Sequence, residues 1–307
     1  MRGFIKLLLI IVLGGYLALF LLDWTYTWTI TQRPLLNIKK NRNYDYLIAG
    51  DSRTNPLVAP YIDLKTGLKT INIGYPAFTL DDNQRILQYF FDRGNRVERV
   101  LLQMDLRFGT ATGGKQEWYY WPYLHRQSGI LSAELPFSYY ARENKNITLK
   151  TLGSGIKYLI TVGDGEMKLD TAEINNDFRP FLYNKKLLKD YSQEPFRYRE
   201  LIQFDAFLKK NGVRELVLFK APCTPEWFVS QTDTGTYKQK LRNMGFKYFD
   251  LSGAYRDTSY FKDYTHIKNN RYLEFSRYFI HRVIDTLELK DRQLSMAKSP
   301  MHISSQK

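Results

Sequence analysis

Ser52 lies in Gly50-Asp51-Ser52-Arg53, where a short apolar run from Tyr44 to Ala49 ends. A hydroxyl held just beyond a strand's carboxyl end faces the space where open α/β sheets take ligands, and the amides of the turn around it can steady an oxyanion. A serine becomes a nucleophile only with a base beside it. Far along the chain, Asp263-Tyr264-Thr265-His266 sets a carboxylate three residues before an imidazole. That spacing predicts both groups on one side of a helical turn, with Asp263 fixing the imidazole tautomer and His266 free to take the serine proton. Each motif alone is ordinary turn chemistry. Their order, one after the first strand and the other after the last, puts both at one edge of a parallel sheet.

The elements that must position these groups are legible in the hydrophobic pattern. Five short runs rich in β-branched and aromatic residues, Tyr44 to Ala49, Thr70 to Ile73, Arg99 to Met104, Glu215 to Phe219 and Phe246 to Leu251, read as buried parallel strands. Helical stretches lie between them, notably Leu80 to Arg93 and Tyr198 to Lys210. A final helix is expected from about Asn270 to Leu289, with Leu273, Phe275, Tyr278, Phe279 and Val283 inward. The expected fold is α/β, a three-layer α/β/α sandwich around a central parallel sheet. The expected domain spans residues 44–290, with an insertion at about 107–195 and a loose polar tail over 291–307. The insertion carries Trp118-Tyr119-Tyr120-Trp121, which either packs against its own domain or stacks on sugar rings.

The chain has 307 residues and a net charge of +14, yet its basic residues are dispersed and no nucleic-acid recognition module is present. No nucleic-acid role is expected; a basic surface beside anionic lipid or polymer fits better. The single cysteine, Cys223, excludes an intramolecular disulfide and reads as an inert small residue. His125, His266, His281 and His302 lack zinc-helix spacing, so neither a metal nor another cofactor is expected. His125 and His281 read as structural.

Arg2 and Lys6 precede an uncharged apolar run from Leu7 to Leu22, followed by Trp24, Tyr26 and Trp28. This pattern predicts a membrane anchor over 1–23 with its amino end in the cytoplasm, a linker over 24–43, and an exported domain. A cleaved signal peptide competes with this reading, but no small-x-small cleavage site follows the run.

Taken together, Gly50-Asp51-Ser52 and Asp263 with His266 resemble the first and last blocks of the SGNH, or GDSL-like, hydrolase superfamily, and Gly74 in Asn72-Ile73-Gly74 resembles its second-block glycine. The resemblance implies a serine esterase or O-acyltransferase with Ser52, Asp263 and His266 as catalytic residues. It further implies an oxyanion hole built from the Ser52 and Gly74 amides. Two features depart from the pattern. Arg53 replaces the usual Leu, as in the envelope-facing branch of polysaccharide O-acetylation and teichoic-acid D-alanylation proteins. The third block, Gly-x-Asn-Asp, is replaced by Gln103-Met104-Asp105-Leu106-Arg107. Asp51, Arg53, Asp105, Arg107, Trp118 and Trp121 are therefore the candidates for substrate contact. The expected substrate is an acyl ester, acetyl by family resemblance, of an envelope polysaccharide, with a multi-spanning acyl-transfer protein as partner at a bacterial inner membrane. The alternative is a catalytically silent glycan-binding or assembly protein on the same fold.

Overall fold

A computed structural model describes residues 3–15, 17, 38–74, 78–105, 196–230 and 234–298. The chain divides into two compact units, one of residues 1–39 and 113–168 and the other of residues 40–112 and 169–307.

In the second unit, β1 (Asn43–Ala49), β2 (Thr70–Asn72), β3 (Arg96–Gln103), β4 (Glu215–Lys220) and β5 (Lys247–Asp250) form one parallel sheet in the order β2-β1-β3-β4-β5. The strands lie within a residue or a few of the predicted runs. Their side chains alternate across the sheet, so Tyr46, Ile48, Leu101, Val217 and Phe219 share one core face. That face is covered by Tyr61 and Ile62 of α1 (Ala59–Thr66) and by the carboxyl-terminal helical stretch. The stretch comprises α6 (Tyr272–Phe279), a π-helical segment (Ile280–Ile284) and α7 (Asp285–Lys298). Phe275, Phe279 and Val283 are fully buried there, while Leu273 and Tyr278 pack at the margin. Leu47, Val100, Leu102, Leu216 and Leu218, on the opposite face, are buried as well.

Two further helices follow the predicted periodicity. In α2 (Leu80–Asp92), Ile86, Leu87 and Phe90 are buried; in α3 (Tyr198–Lys210), so are Leu201, Phe204 and Leu208. Phe91 and Phe207 join the two helices edge to face, with centroids 5.9 Å apart. Thr79 and Asp82 form a capping box that starts α2. The sequence pattern did not single out α1, α4 (Pro225–Ser230) or α5 (Thr234–Asn243), which are short and weakly periodic.

The expectation of a loose tail after Lys290 is corrected, since α7 continues to Lys298. Asp291 ties this part of the helix to the sheet, pairing with Arg99 and, at 2.6 Å, with Arg214. The register sets Tyr46, Arg99 and Glu215 side by side on β1, β3 and β4. Arg99, with its side chain 2% exposed, meets Glu215 at 3.3 Å and Glu288 at 3.0 Å as well as Asp291. It also donates to the Tyr46 hydroxyl at 2.9 Å, and that hydroxyl donates to Glu288 at 2.5 Å.

Arg99→Met strands these acids around an apolar side chain. They are 23–31% exposed, so the expected loss is near the low end of the roughly 3–5 kcal/mol seen when a buried ion pair is broken. Urea midpoints check this, and an unchanged midpoint would show that the clasp contributes nothing.

In the first unit a helix is described over residues 3–15 and 17, and Phe4, Ile5, Leu7 to Leu13 and Leu17 are exposed on it. Among the described residues no helix is long and apolar enough to cross a membrane. The remainder of the expected span to Leu22, the linker as far as residue 37, and the aromatic residues Trp24, Tyr26 and Trp28 lie outside the described residues.

Candidate active site

Ser52 follows β1 at the edge of the sheet where the parallel strands end. After β1 the chain enters a single 3₁₀ turn, Ser52–Thr54, capped by Asp51, whose carboxylate accepts from the Arg53 amide at 2.9 Å. Glycine is required just before it. Gly50 has φ +146°, and a Cβ there would stand 2.6 Å from Gln103 Cβ and 2.8 Å from Thr54 Cγ2. The Gly50 amide donates to Asn83 Oδ1 at 2.9 Å, so the first turn of α2 supports the turn from below.

Ser52 Oγ stands 2.7 Å from His266 Nε2. His266 Nδ1 lies 2.9 Å from both oxygens of Asp263. An ionised carboxylate only accepts, which places the proton on Nδ1 and leaves Nε2 to accept from the Ser52 hydroxyl. The structure thus brings Ser52, His266 and Asp263 together across 214 positions of sequence separation.

The predicted helical turn at Asp263 is corrected. Residues 263–266 form a bend closed by an antiparallel bridge between Phe261 and Ile267 and by a 2.9 Å bond from the Lys262 amide to the His266 carbonyl. Asp263 makes the bend by accepting from the Thr265 amide at 2.9 Å and the His266 amide at 3.0 Å. Thr265 Oγ1 adds a weaker bond to it at 3.3 Å, and the Thr224 amide after β4 holds the loop through the Tyr264 carbonyl at 2.9 Å.

Burial alone would push the Asp263 carboxyl up, but the His266 ring and the Thr265 and His266 amides hold it below its usual range. Asp51 and Asp250 are likewise depressed, against burial, by Arg53 and by Lys238 with Ser252. A depressed carboxylate contributes stability that is fully present above its unfolded value of about 3.9 and is lost as pH falls through the folded one. Stability should accordingly be insensitive to these groups near neutrality and decline below about pH 4. Urea midpoints from neutral to acid pH check this, and Asp263→Asn should flatten part of the decline.

Of the two expected oxyanion donors, the Ser52 amide opens the 3₁₀ turn and has no partner among the described residues. The Gly74 amide is engaged, donating to Asn72 Oδ1 at 3.0 Å. Asn72 Nδ2 in turn donates to the Thr54 and Leu57 carbonyls at 2.8 and 2.9 Å. Gly74 is packed so closely on Thr54 that a Cβ would overlap Thr54 Oγ1.

The six residues expected at substrate divide. Arg53 and Asp105 are buried and bonded to each other, and Arg53 is bonded to Asp51 as well, so they are not open to a substrate as expected. Asp51 is partly buried beside them. Arg107, Trp118 and Trp121, like His125 and His302, lie outside the described residues. Cys223 is buried after β4 and its thiol is pushed up to about 12 by burial, which keeps it inert. His281 is exposed on the π-helical segment, 3.0 Å from Asp285.

The residues missed from sequence are the amides that brace the site. Asn83 left a signal: it falls on the apolar stripe of α2 with Ile86, Leu87 and Phe90, where a buried Asn needs a partner. Asn72 and Gln103 left none, because a polar residue ending a strand is commonplace.

A scan against protein-family models finds no match, and a search of curated proteins finds none.

Proposed function

We propose that this chain is an SGNH-type serine esterase or O-acyltransferase, anchored in a bacterial inner membrane and acting on acyl esters, acetyl in the first instance, of an envelope polysaccharide. The observation that carries the reading is the continuous relay from Ser52 Oγ to His266 Nε2 at 2.7 Å and from Nδ1 to Asp263 at 2.9 Å. The strand order and the position of the relay at the carboxyl ends suit that fold. The exposed apolar helix at residues 3–15 supports the anchor.

In this mechanism Ser52 Oγ attacks the ester carbonyl as His266 Nε2 takes its proton, while Asp263 orients and stabilises the imidazolium. The tetrahedral oxyanion is held by the Ser52 amide, and by the Gly74 amide once the carbonyl displaces Asn72 Oδ1. Collapse expels the alcohol with the proton returned by His266 and leaves an acyl-serine. Water or a sugar hydroxyl then takes the acyl group by the same steps in reverse, and the acceptor alone separates esterase from transferase.

The test is mapping of a fluorophosphonate probe on the full chain. Phosphonylation of the Ser52 peptide, with acetyl release from an O-acetylated glycan, is expected. A chain that resists the probe while binding the glycan would overturn the enzymatic reading in favour of a silent glycan-binding member, which the engaged Gly74 amide favours.

A further inference from the structure

We propose that Arg53 is a positioning residue: locked between Asp51 and Asp105, it clamps the Ser52 turn to the end of β3 and so holds Ser52 Oγ in register with His266. This inference rests on the serine-hydrolase reading and extends it to the two places where the sequence departs from the family pattern, Arg53 and the segment after β3.

The guanidinium uses most of its fork. Nε donates to Asp51 Oδ1 at 2.9 Å and Oδ2 at 3.1 Å, Nη2 to Asp51 Oδ2 at 2.7 Å and to Asp105 Oδ1 at 3.3 Å, and Nη1 to Asp105 Oδ2. Gln103 completes the set when its amide is oriented by its partners, with nitrogen 3.3 Å from Asp51 Oδ1 and oxygen accepting from Arg53 Nη2 at 3.1 Å. With its side chain 4% exposed, Arg53 is closed to substrate and to an oxyanion.

The clamp runs in one direction the rest of the turn leaves open. Asn72 ties Thr54 and Leu57 towards β2, on one side of β1. Gln103 and Asp105 lie at the end of β3, on the other side of β1. Ser52 sits between the two residues whose side chains make this second tie.

Stability alone is a weak reason for the arrangement, because a buried ionic cluster often does no better than apolar residues of the same volume. Orientation is a strong one, since a nucleophile displaced by about 1 Å can lose roughly 100-fold in rate. A planar, permanently charged fork bonded to two carboxylates resists such displacement in a way that leucine or lysine does not.

The experiment compares the full-length wild type with Arg53→Lys, Arg53→Met and Arg53→Met/Asp105→Asn. It measures thermal melting, fluorophosphonate labelling of Ser52, and kcat and KM for p-nitrophenyl acetate. Arg53→Met alone takes the cation away from the Asp51 and Asp105 carboxylates and is expected to melt early. The double variant removes one of the two charges, and the other, on Asp51, keeps the amide of residue 53 as a donor, so it should fold with near-wild-type KM. Its kcat should fall about 10–100-fold, the cost of misorientation. Arg53→Lys, which keeps the charge but not the fork, should recover part of the loss.

A folded double variant with wild-type kcat and labelling rate overturns the clamp while leaving the hydrolase reading standing. Should the double variant fail to fold, Arg53→Lys decides, and wild-type kcat there overturns the clamp. A wild type inert to both reagents overturns the hydrolase reading and the clamp with it.

Discussion

Ser52→Ala is expected to lower kcat for p-nitrophenyl acetate by about 10⁶-fold, to the level supplied by binding and the oxyanion site alone, without a comparable change in KM. In the proposed mechanism the hydroxyl supplies the covalent intermediate, and alanine leaves His266 Nε2 with nothing to deprotonate at the 2.7 Å contact. His266→Ala should cost about as much, because an unassisted hydroxyl is a poor nucleophile at neutral pH. Combining the two should cost little more than either, since they act as one unit. Asp263→Asn should cost less, about 10⁴-fold, by favouring the wrong tautomer of a ring that is still in place. Steady-state kinetics of the purified full chain decide the matter: equal rates for wild type, Ser52→Ala and His266→Ala would remove the enzymatic reading.

Gly50→Ala is expected to destabilise the fold by roughly 2–6 kcal/mol and to abolish turnover in whatever fraction folds. Two costs add. The backbone at φ +146° excludes an L side chain, for about 1–3 kcal/mol. The new Cβ also meets Gln103 Cβ at 2.6 Å and Thr54 Cγ2 at 2.8 Å, atoms of a buried strand end and of the serine's own turn, which adds the usual overpacking penalty of about 1–3 kcal/mol. Gly67→Ala is the internal control. Gly67 has φ +73° with nothing within 4 Å, so only the left-handed backbone cost of about 1–2 kcal/mol applies, and activity should persist. Chemical denaturation of both variants checks the contrast. Similar losses in the two would show that crowding against Gln103 and Thr54 is not what makes Gly50 obligatory.

Most of the sheet could be read from the chain itself. Buried parallel strands must be apolar on both faces, so Tyr44 to Ala49 and Glu215 to Phe219 stand out as runs, while amphipathic helices such as Tyr198 to Lys210 show their period. Short helices such as α1 and α4 escaped because one or two turns carry too little periodicity. The end of the last helix escaped for a different reason. Residues after Leu289 look polar and unattached in sequence, and they are held by Asp291 reaching Arg99 and Arg214, partners 192 and 77 residues away.

The site divides along the same line. Residue types and their order along the sheet were enough to single out Ser52, Asp263 and His266, because strand ends at one edge of a parallel sheet are brought together by topology. Sequence also marked Gly50 and Gly74, as members of recognisable motifs. Only the tertiary structure decided that Asp263 and His266 share a hydrogen-bonded bend and not a helical turn, that Asn72 occupies the Gly74 amide, and that Arg53 is spent on two carboxylates. Those outcomes depend on which donors and acceptors meet across β1, β2 and β3, and a hydrogen bond holds over about 3 Å. No pattern along one strand carries information at that distance about its neighbours.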